Sequence, residues 1–272
     1  YLEYFFIGLI LNLIIFKLLS PFLKSYFLIN PIKISSHKKP TPSGAGLCFV
    51  ISTTILTVYS GLSNGFSFVE NFILLSTILT LVGILDDYFS LSRISRFIVQ
   101  LIVVSLIIAI SPFSGMNIIL LFPICFFGVS IINLINFTDG IDGLLAGSIL
   151  VSLIGANLYL AISPLILTLS AGLLLFLFLN WHPSKFFMGD AGSLFLGAVY
   201  FGIILNSNNI EDMIRIFLLA TPLFADTTFC ILRRFACNEN IFKGHNKHLF
   251  QRLVRGGMSH AKVSKIYIGT SF

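Results

Sequence analysis

The chain has 272 residues, 56% of them hydrophobic and only 10% charged, with a formal net charge of +6 and a mean hydropathy of +0.97. This composition excludes an ordinary soluble domain. The modest, unevenly placed positive charge reads as membrane topology rather than nucleic-acid binding.

At roughly 20 residues per span, the length accommodates about nine or ten membrane helices. Hydropathy places spans near 3–20, 44–62, 70–86, 97–113, 117–135, 145–162, 164–181, 191–206 and 212–232. A tenth begins near Ala261 and is expected to continue beyond Phe272. The first apolar run has no basic n-region and no A-x-A site, so it reads as a retained span rather than a signal peptide. The expected fold is therefore all-α: a polytopic transmembrane helical bundle forming one integral-membrane domain over residues 1–272. Cys48, Cys125 and Cys230 lie in apolar runs and Cys237 in a basic tail, without a CxxC pair. Neither disulfide nor zinc roles are expected from that pattern.

The loops alternate in charge. Those near 21–43, 87–96, 136–144, 182–190 and 233–260 carry Lys24, Lys33, Lys38, Lys39, Arg93, Arg96, Lys185 and the tail's Arg233, Arg234, Lys243, Lys247, Arg252 and Arg255. The opposite loops are nearly free of Lys and Arg, with Arg215 the exception. The positive-inside rule makes the basic side cytoplasmic and puts the N-terminus outside. Six of the eleven acidic residues fall at span ends on that same basic side: Asp86 and Asp87, Asp139 and Asp142, Asp190, and Asp226. Carboxylates beside hydrocarbon are expensive, roughly 2.5–3.5 kcal/mol each at mid-helix and less near the interface. Their retention points to a metal- and phosphate-binding cleft.

Each segment has its own chemistry. Asp86 and Asp87 point about 100° apart on a helix, so one can face a metal or phosphate while the other orients a nearby Arg93 or Arg96. Asn136, Asp139 and Asp142, broken by Gly140 and Gly143, offer oxygen ligands of the kind Mg²⁺ accepts. Asp190 follows Gly189 and is either a ligand or the N-cap of the eighth span. Phe186 and Phe187 are interface aromatics or a stacking platform for a base. The lead-in to span two, KKPTPSGAG, is basic but is not a P-loop. In the tail, His245 and His248 have an HxxH spacing with no obvious third zinc ligand. Amid Lys and Arg they suit phosphate better than a cation, unless the tail is only a basic amphipathic helix on the bilayer.

Together these segments resemble the polyprenyl-phosphate N-acetylhexosamine-1-phosphate transferase superfamily (glycosyltransferase 4 family). KKPTPSGAG is similar to its first cytoplasmic loop, and GILDDYFSLS to its DD motif. NFTDGIDGLLAG and FFMGDAGSLFLG are similar to its most specific signatures, and HNKHLFQRL to its histidine loop. The order matches along almost the whole chain. His-Asn-Lys-His departs from the three consecutive histidines of the muramoyl-pentapeptide enzymes and looks more like the branch that begins surface glycans.

The resemblance implies transfer of GlcNAc-1-phosphate, or a deoxy relative, from a UDP-sugar to undecaprenyl phosphate, with release of UMP. It implies Mg²⁺, with Mn²⁺ as an alternative, and a bilayer setting in the bacterial inner membrane with the active site on the cytoplasmic face. A homodimer is compatible with it, and no nucleic acid is expected. It implies Asp190, Asn136 and Asp86 as metal ligands, and Asp86, Asp87, Asp139, Asp190, His245 and His248 as catalytic residues. Asp86 or Asp87 would accept a proton from the lipid phosphate or orient it. Asp142, Asn180, Phe187 and Lys38 would form the uridine pocket, and Arg93 would contact substrate. Direct attack by the lipid phosphate is favoured over a covalent Asp190 intermediate, since a metal-bound carboxylate is a poor nucleophile. The alternatives are the pentapeptide transferase of peptidoglycan synthesis and, from another class, an ion-coupled transporter, whose carboxylates usually lie near the midplane.

Overall fold

A computed structural model describes residues 2–31, 39–160, 163–207, 209–240 and 245–271. The protein is an all-α membrane protein. The helices are α1 (Leu2–Tyr26), α2 (Gly46–Asn64), α3 (Phe68–Phe89), α4 (Arg93–Ile110), α5 (Ile118–Phe137), α6 (Leu144–Tyr159), α7 (Pro164–Asn180) and α8 (Asp190–Leu205). They continue with α9 (Ile210–Leu219), α10 (Thr221–Ala236), α11 (Leu249–Arg255) and α12 (His260–Thr270). A two-residue antiparallel ladder joins β1 (Leu28–Ile29) to β2 (Thr41–Pro42).

The first eight expected spans each coincide with a helix, but lengths differ. Among the described residues five helices, α1 to α5, are long and apolar enough to cross a membrane, or six if the bent pair α9–α10 is one span. α6, α7 and α8 are apolar but only 16, 17 and 16 residues long. α4 and α5 turn large apolar side chains outward, among them Ile98, Ile102, Ile118, Phe122 and Phe126. Such an apolar exterior fits a bilayer rather than water.

The single ninth span expected over 212–232 is instead broken, with α9 and α10 bent by 76°. Pro222 sits in the first turn of α10, where it has no N–H to bond back into α9. The carbonyls freed by the break find side-chain donors. Tyr200 Oη donates to Ile216 O at 2.6 Å and Ser152 Oγ to Leu219 O at 3.0 Å. Non-helical backbone survives at membrane depth only when protein satisfies it in this way. Arg215, the topological exception, is ion-paired on α9 to Asp212 and Glu211.

α8 is the hub. Its residues from Ala191 to Leu205 are all buried, as expected for a helix that is apolar all round, and it packs against α2, α3, α4, α5 and α9. Close approach of α3 depends on Gly83, where a Cβ would meet the Ala191 amide nitrogen at 2.3 Å. Polar pairs fasten other helices: Asn133 Nδ2 donates to Gln100 Oε1 at 2.7 Å between α5 and α4, and Asn12 Nδ2 to Ser52 Oγ at 3.1 Å between α1 and α2. This packing brings the ends of α3, α5 and α7 and the start of α8 to one end of the bundle.

Candidate active site

Asp190 stands at the first position of α8, one residue inside the helix, with Gly189 as N-cap. The N-cap alternative for Asp190 is therefore not what the fold shows. Gly189 has φ 77°, a conformation that strains any residue with a Cβ. A Cβ there would meet Asp87 Oδ2 at 2.8 Å and the Gly44 nitrogen at 3.0 Å. Gly189 thus lets three segments converge: the end of α3, the stretch 41–46 and the start of α8.

The Asp190 amide donates to Asp87 Oδ2 at 3.2 Å. Asn136, at the end of α5, donates Nδ2 to Asp190 Oδ1 and to Ser193 Oγ, each at 2.9 Å. Arg96 Nη1 lies 3.6 Å from Asp190 Oδ2 and is tightly paired with Asp86 Oδ2. Asp86 Oδ1 accepts the Leu91 amide at 2.8 Å. The DD pair divides its work: Asp86 anchors the α3–α4 turn and Arg96 and also reaches the Asp190 carboxyl, while Asp87 receives the Asp190 amide. The turn depends on Ser90 in the left-handed region at φ 52°, which brings Arg96 back beside Asp86. Arg93, the expected substrate contact, is exposed and takes no part in this cluster.

Asp139 and Asp142 share the α5–α6 loop. Asp139 makes no side-chain hydrogen bond among the described residues. Although it is only partly covered, burial of its carboxyl, then the negative charges of Asp190, Asp87 and Asp142, push its pKa up to about 7. Asp142 is buried. Burial pushes its carboxyl up, but hydrogen bonds with His260 and His182 outweigh that and hold it at about 2. His182 Nδ1 lies 2.6 Å and His260 Nδ1 3.2 Å from Asp142 Oδ2. The Ser184 amide reaches the same oxygen at 3.3 Å.

Asn180 is buried too. Its Oδ1 accepts the Gly143 amide at 2.9 Å and its Nδ2 donates to Phe186 O at 2.9 Å. Asp142 and Asn180, both expected in the uridine pocket, thus tie the α5–α6 loop to the α7–α8 loop. Phe187 pairs through its backbone with Pro42 O at 2.8 Å and the Ala45 amide at 3.0 Å, bringing the TPSGAG stretch alongside Asp190. Lys38 lies outside the described residues.

The histidine loop hangs on Asp226, whose carboxylate accepts the Leu249 amide at 2.7 Å, the Phe250 amide at 3.1 Å and Tyr267 Oη at 2.6 Å. Asp226 thereby anchors the start of α11, and it does so instead of joining the Asp190 cluster. Phe250 then abuts Gly140, where a Cβ would meet the ring at 2.8 Å, so α11 is seated on the Asp139 loop. His245 and His248 stack with centroids 4.9 Å apart. Burial, then the neighbouring positive groups, lowers His245 to about 4. His248 is also lowered, first by burial. Both imidazoles are neutral near neutral pH.

A sequence profile for glycosyl transferase family 4 matches residues 69–208. The chain belongs to this family. The match contains Asp86, Asp87, Asn136, Asp139, Asp142, Asn180, Phe187 and Asp190, and it stops short of the histidine loop. A probable undecaprenyl-phosphate N-acetylglucosaminyl 1-phosphate transferase of Bacillus subtilis (strain 168) is 32% identical over 261 residues, covering 85% of this chain and 70% of the relative. A decaprenyl-phosphate N-acetylglucosaminephosphotransferase of Mycobacterium leprae is 25% identical over 277 residues, covering 84% of this chain and 70% of the relative. A phospho-N-acetylmuramoyl-pentapeptide-transferase of Kosmotoga olearia is 32% identical over 194 residues, covering 61% of this chain and 60% of the relative.

Asp87, Asp139 and Asp190 share one electrostatic neighbourhood, but their oxygens are not all within 4.8 Å of one another, so waters or substrate oxygens would complete the shell of a hard cation held there. Three carboxylates with mutual repulsion and incomplete hydrogen bonding suit Mg²⁺ and its retained waters. Asn136 already donates its amide nitrogen to Asp190 and Ser193, which leaves its oxygen for a ligand. Asp86 fits less well than its sequence position suggested, because Arg96 already compensates its charge. Sequence reasoning missed His182, His260 and Ser193. His182 and His260 could have been given a role as two of only five histidines, His182 lying two residues after Asn180; Ser193 carries no such signal.

Proposed function

We propose that this protein transfers an N-acetylhexosamine 1-phosphate, GlcNAc-1-phosphate or a deoxy relative, from a UDP-sugar to undecaprenyl phosphate, releasing UMP, as an early membrane step in surface polysaccharide synthesis. The observation that carries this reading is the meeting of Asp87, Asp139, Asp190 and Asn136 at one end of the bundle, beside Arg96. The names of the relatives, all lipid-phosphate or pentapeptide sugar-phosphate transferases, support it. Carboxylates gathered at one end, away from the mid-bundle, count against an ion-coupled transporter.

The chemistry is exchange of one phosphoanhydride for another, so positioning and charge neutralisation are the main tasks. Mg²⁺ held by Asp190, Asp87 and Asp139, with the Asn136 oxygen, would supply the positive charge that a pyrophosphate needs. With Asp87 assigned to the cation and Asp86 bound to Arg96, these two carboxylates would orient the acceptor phosphate rather than take its proton. His245 and His248 approach the donor as neutral hydrogen-bond donors. A cavity of about 480 Å³ between α10, α11 and α12, lined by apolar side chains with Arg233, Lys247 and Arg252, suits an isoprenoid phosphate. The reading includes about nine spans with the N-terminus outside, and an active site on the cytoplasmic face of a bacterial inner membrane, as the Lys and Arg distribution favours. The His-Asn-Lys-His tail favours an N-acetylglucosamine donor over the pentapeptide reading.

The test is UMP release from UDP-GlcNAc by the purified chain in detergent with undecaprenyl phosphate. Release that requires both the lipid phosphate and Mg²⁺ is expected. No release under those conditions, or release indifferent to the lipid, would overturn the proposal.

A further inference from the structure

We infer that Cys230, His245 and His248 form a binding site for a thiophilic divalent cation of the zinc class, separate from the carboxylate cluster. The sequence pattern gave no third partner for the two histidines; the fold supplies it from α10. One ligand atom from each of the three residues lies within 4.8 Å of the others. Bonds of about 2.3 Å to sulfur and 2.0–2.1 Å to nitrogen make tetrahedral edges of roughly 3.5 Å, so closing the site takes a contraction of about an ångström.

An independent observation points to a ligand. His248 is only 5% exposed, and among the described residues its buried Nδ1 has no hydrogen-bond partner. An unsatisfied buried polar atom is costly, and coordination would relieve that cost. A neutral imidazole offers a nitrogen lone pair to a metal.

The charges around the site are less hostile than the run of Lys and Arg suggests. Lys247 Nζ is spent on Glu239, at 2.6 and 2.7 Å. Arg234 Nε donates to Glu239 as well, at 3.2 Å. Asp226 Oδ1 stands 4.0 Å from His248 Nδ1. On binding, the Cys230 thiol loses its proton to solvent, and thiolate plus Asp226 balance a dication. Cys230 also lines the cavity of about 480 Å³ described above, which gives the ion a route in. Sulfur and imidazole donors select Zn²⁺, Cd²⁺ or Co²⁺ over Mg²⁺. A bound ion would occupy both histidines and so inhibit transfer; that consequence, unlike the site itself, rests on the proposed transferase function.

The experiment is a Co²⁺ titration of the purified chain, reading the thiolate-to-cobalt charge-transfer band, with Zn²⁺ as competitor. Wild type should show the band and lose it to Zn²⁺ but not to Mg²⁺. Cys230→Ser should lose the band and bind Co²⁺ at least tenfold more weakly, the lower end of what even outer-shell changes cost. Cys237→Ser, which removes an exposed thiol, should keep it. His245→Ala should lose the band with the Cys230 thiol intact, so the inference does not depend on Cys230→Ser folding. No band in wild type, or a band that survives Cys230→Ser and vanishes in Cys237→Ser, would overturn the site. Mg²⁺-dependent UMP release without added Zn²⁺ judges the transferase reading separately.

Discussion

Asp139 and Asp142 occupy one short loop, three residues apart, and the fold treats them oppositely. Asp142 is surrounded by partners, and its carboxyl is held at about 2. Among the described residues Asp139 has no side-chain hydrogen-bond partner and faces other carboxylates, and its carboxyl rises to about 7. The first is used within the structure to join two loops. The second belongs to an unbalanced negative cluster that a cation would complete. Residue type alone did not separate a strut from a ligand; the difference lies in what the neighbouring loops bring, two imidazoles to one and Asp87 and Asp190 to the other.

The largest expected effect is on Asp190. Asp190→Asn should reduce UMP release by on the order of a thousandfold, the scale of losing a key electrostatic group at a reacting centre. The helix should persist, because Gly189 and not Asp190 is its cap. Turnover near normal would mean that the cluster is structural.

Asp142→Asn should act on stability first. Removing one charge from a buried, multiply bonded network costs about 3 kcal/mol, read as a lower unfolding temperature in detergent. The folded pKa lies below the unfolded one, so Asp142 contributes stability above about pH 4 that is lost as pH falls towards 2. Lost activity should track lost stability. A stable variant with a raised KM for the UDP-sugar would show that Asp142 also serves the uridine pocket.

His245→Ala should lower kcat/KM by roughly tenfold to a hundredfold, the worth of one hydrogen bond to a charged group. Excess Mg²⁺ should not restore it, and rescue by Mg²⁺ would place the histidine in the Mg²⁺ site instead.

Asp139→Asn should give the smallest effect on folding, and one of opposite sign to Asp142→Asn. A raised folded pKa means stability is lost as pH rises from about 4 through about 7. Removing the charge should therefore stabilise the metal-free protein at pH 8 by on the order of 2 kcal/mol. A destabilised variant would show that Asp139 has a partner it needs.

Much of the fold was legible in the sequence, because apolar runs of spanning length leave few alternatives. The break at Ala220 was not read, although Pro222 announced it, because hydropathy averages over a bend. The convergence of Asp86, Asp87, Asn136, Asp139 and Asp190 followed from span parity. The division between Asp86 and Asp87 followed from helix geometry, but which of them meets Arg96 depends on the left-handed Ser90. Asp226 shows the limit of parity: it lies at the same end, yet it is committed to the α11 amides. The contacts of His182, His260 and Cys230 escaped notice because their partners are distant in sequence, and no spacing rule records a contact made by packing.

The most direct measurement is Mn²⁺ binding followed by the loss of its free-ion electron paramagnetic resonance signal, with Mg²⁺ as competitor. If Asp87, Asp139 and Asp190 form the cation site, wild type should bind one Mn²⁺ that Mg²⁺ displaces, and Asp190→Asn should bind it at least tenfold more weakly while remaining folded. Equal Mn²⁺ binding by wild type and Asp190→Asn would contradict the placement of the cation in this cluster.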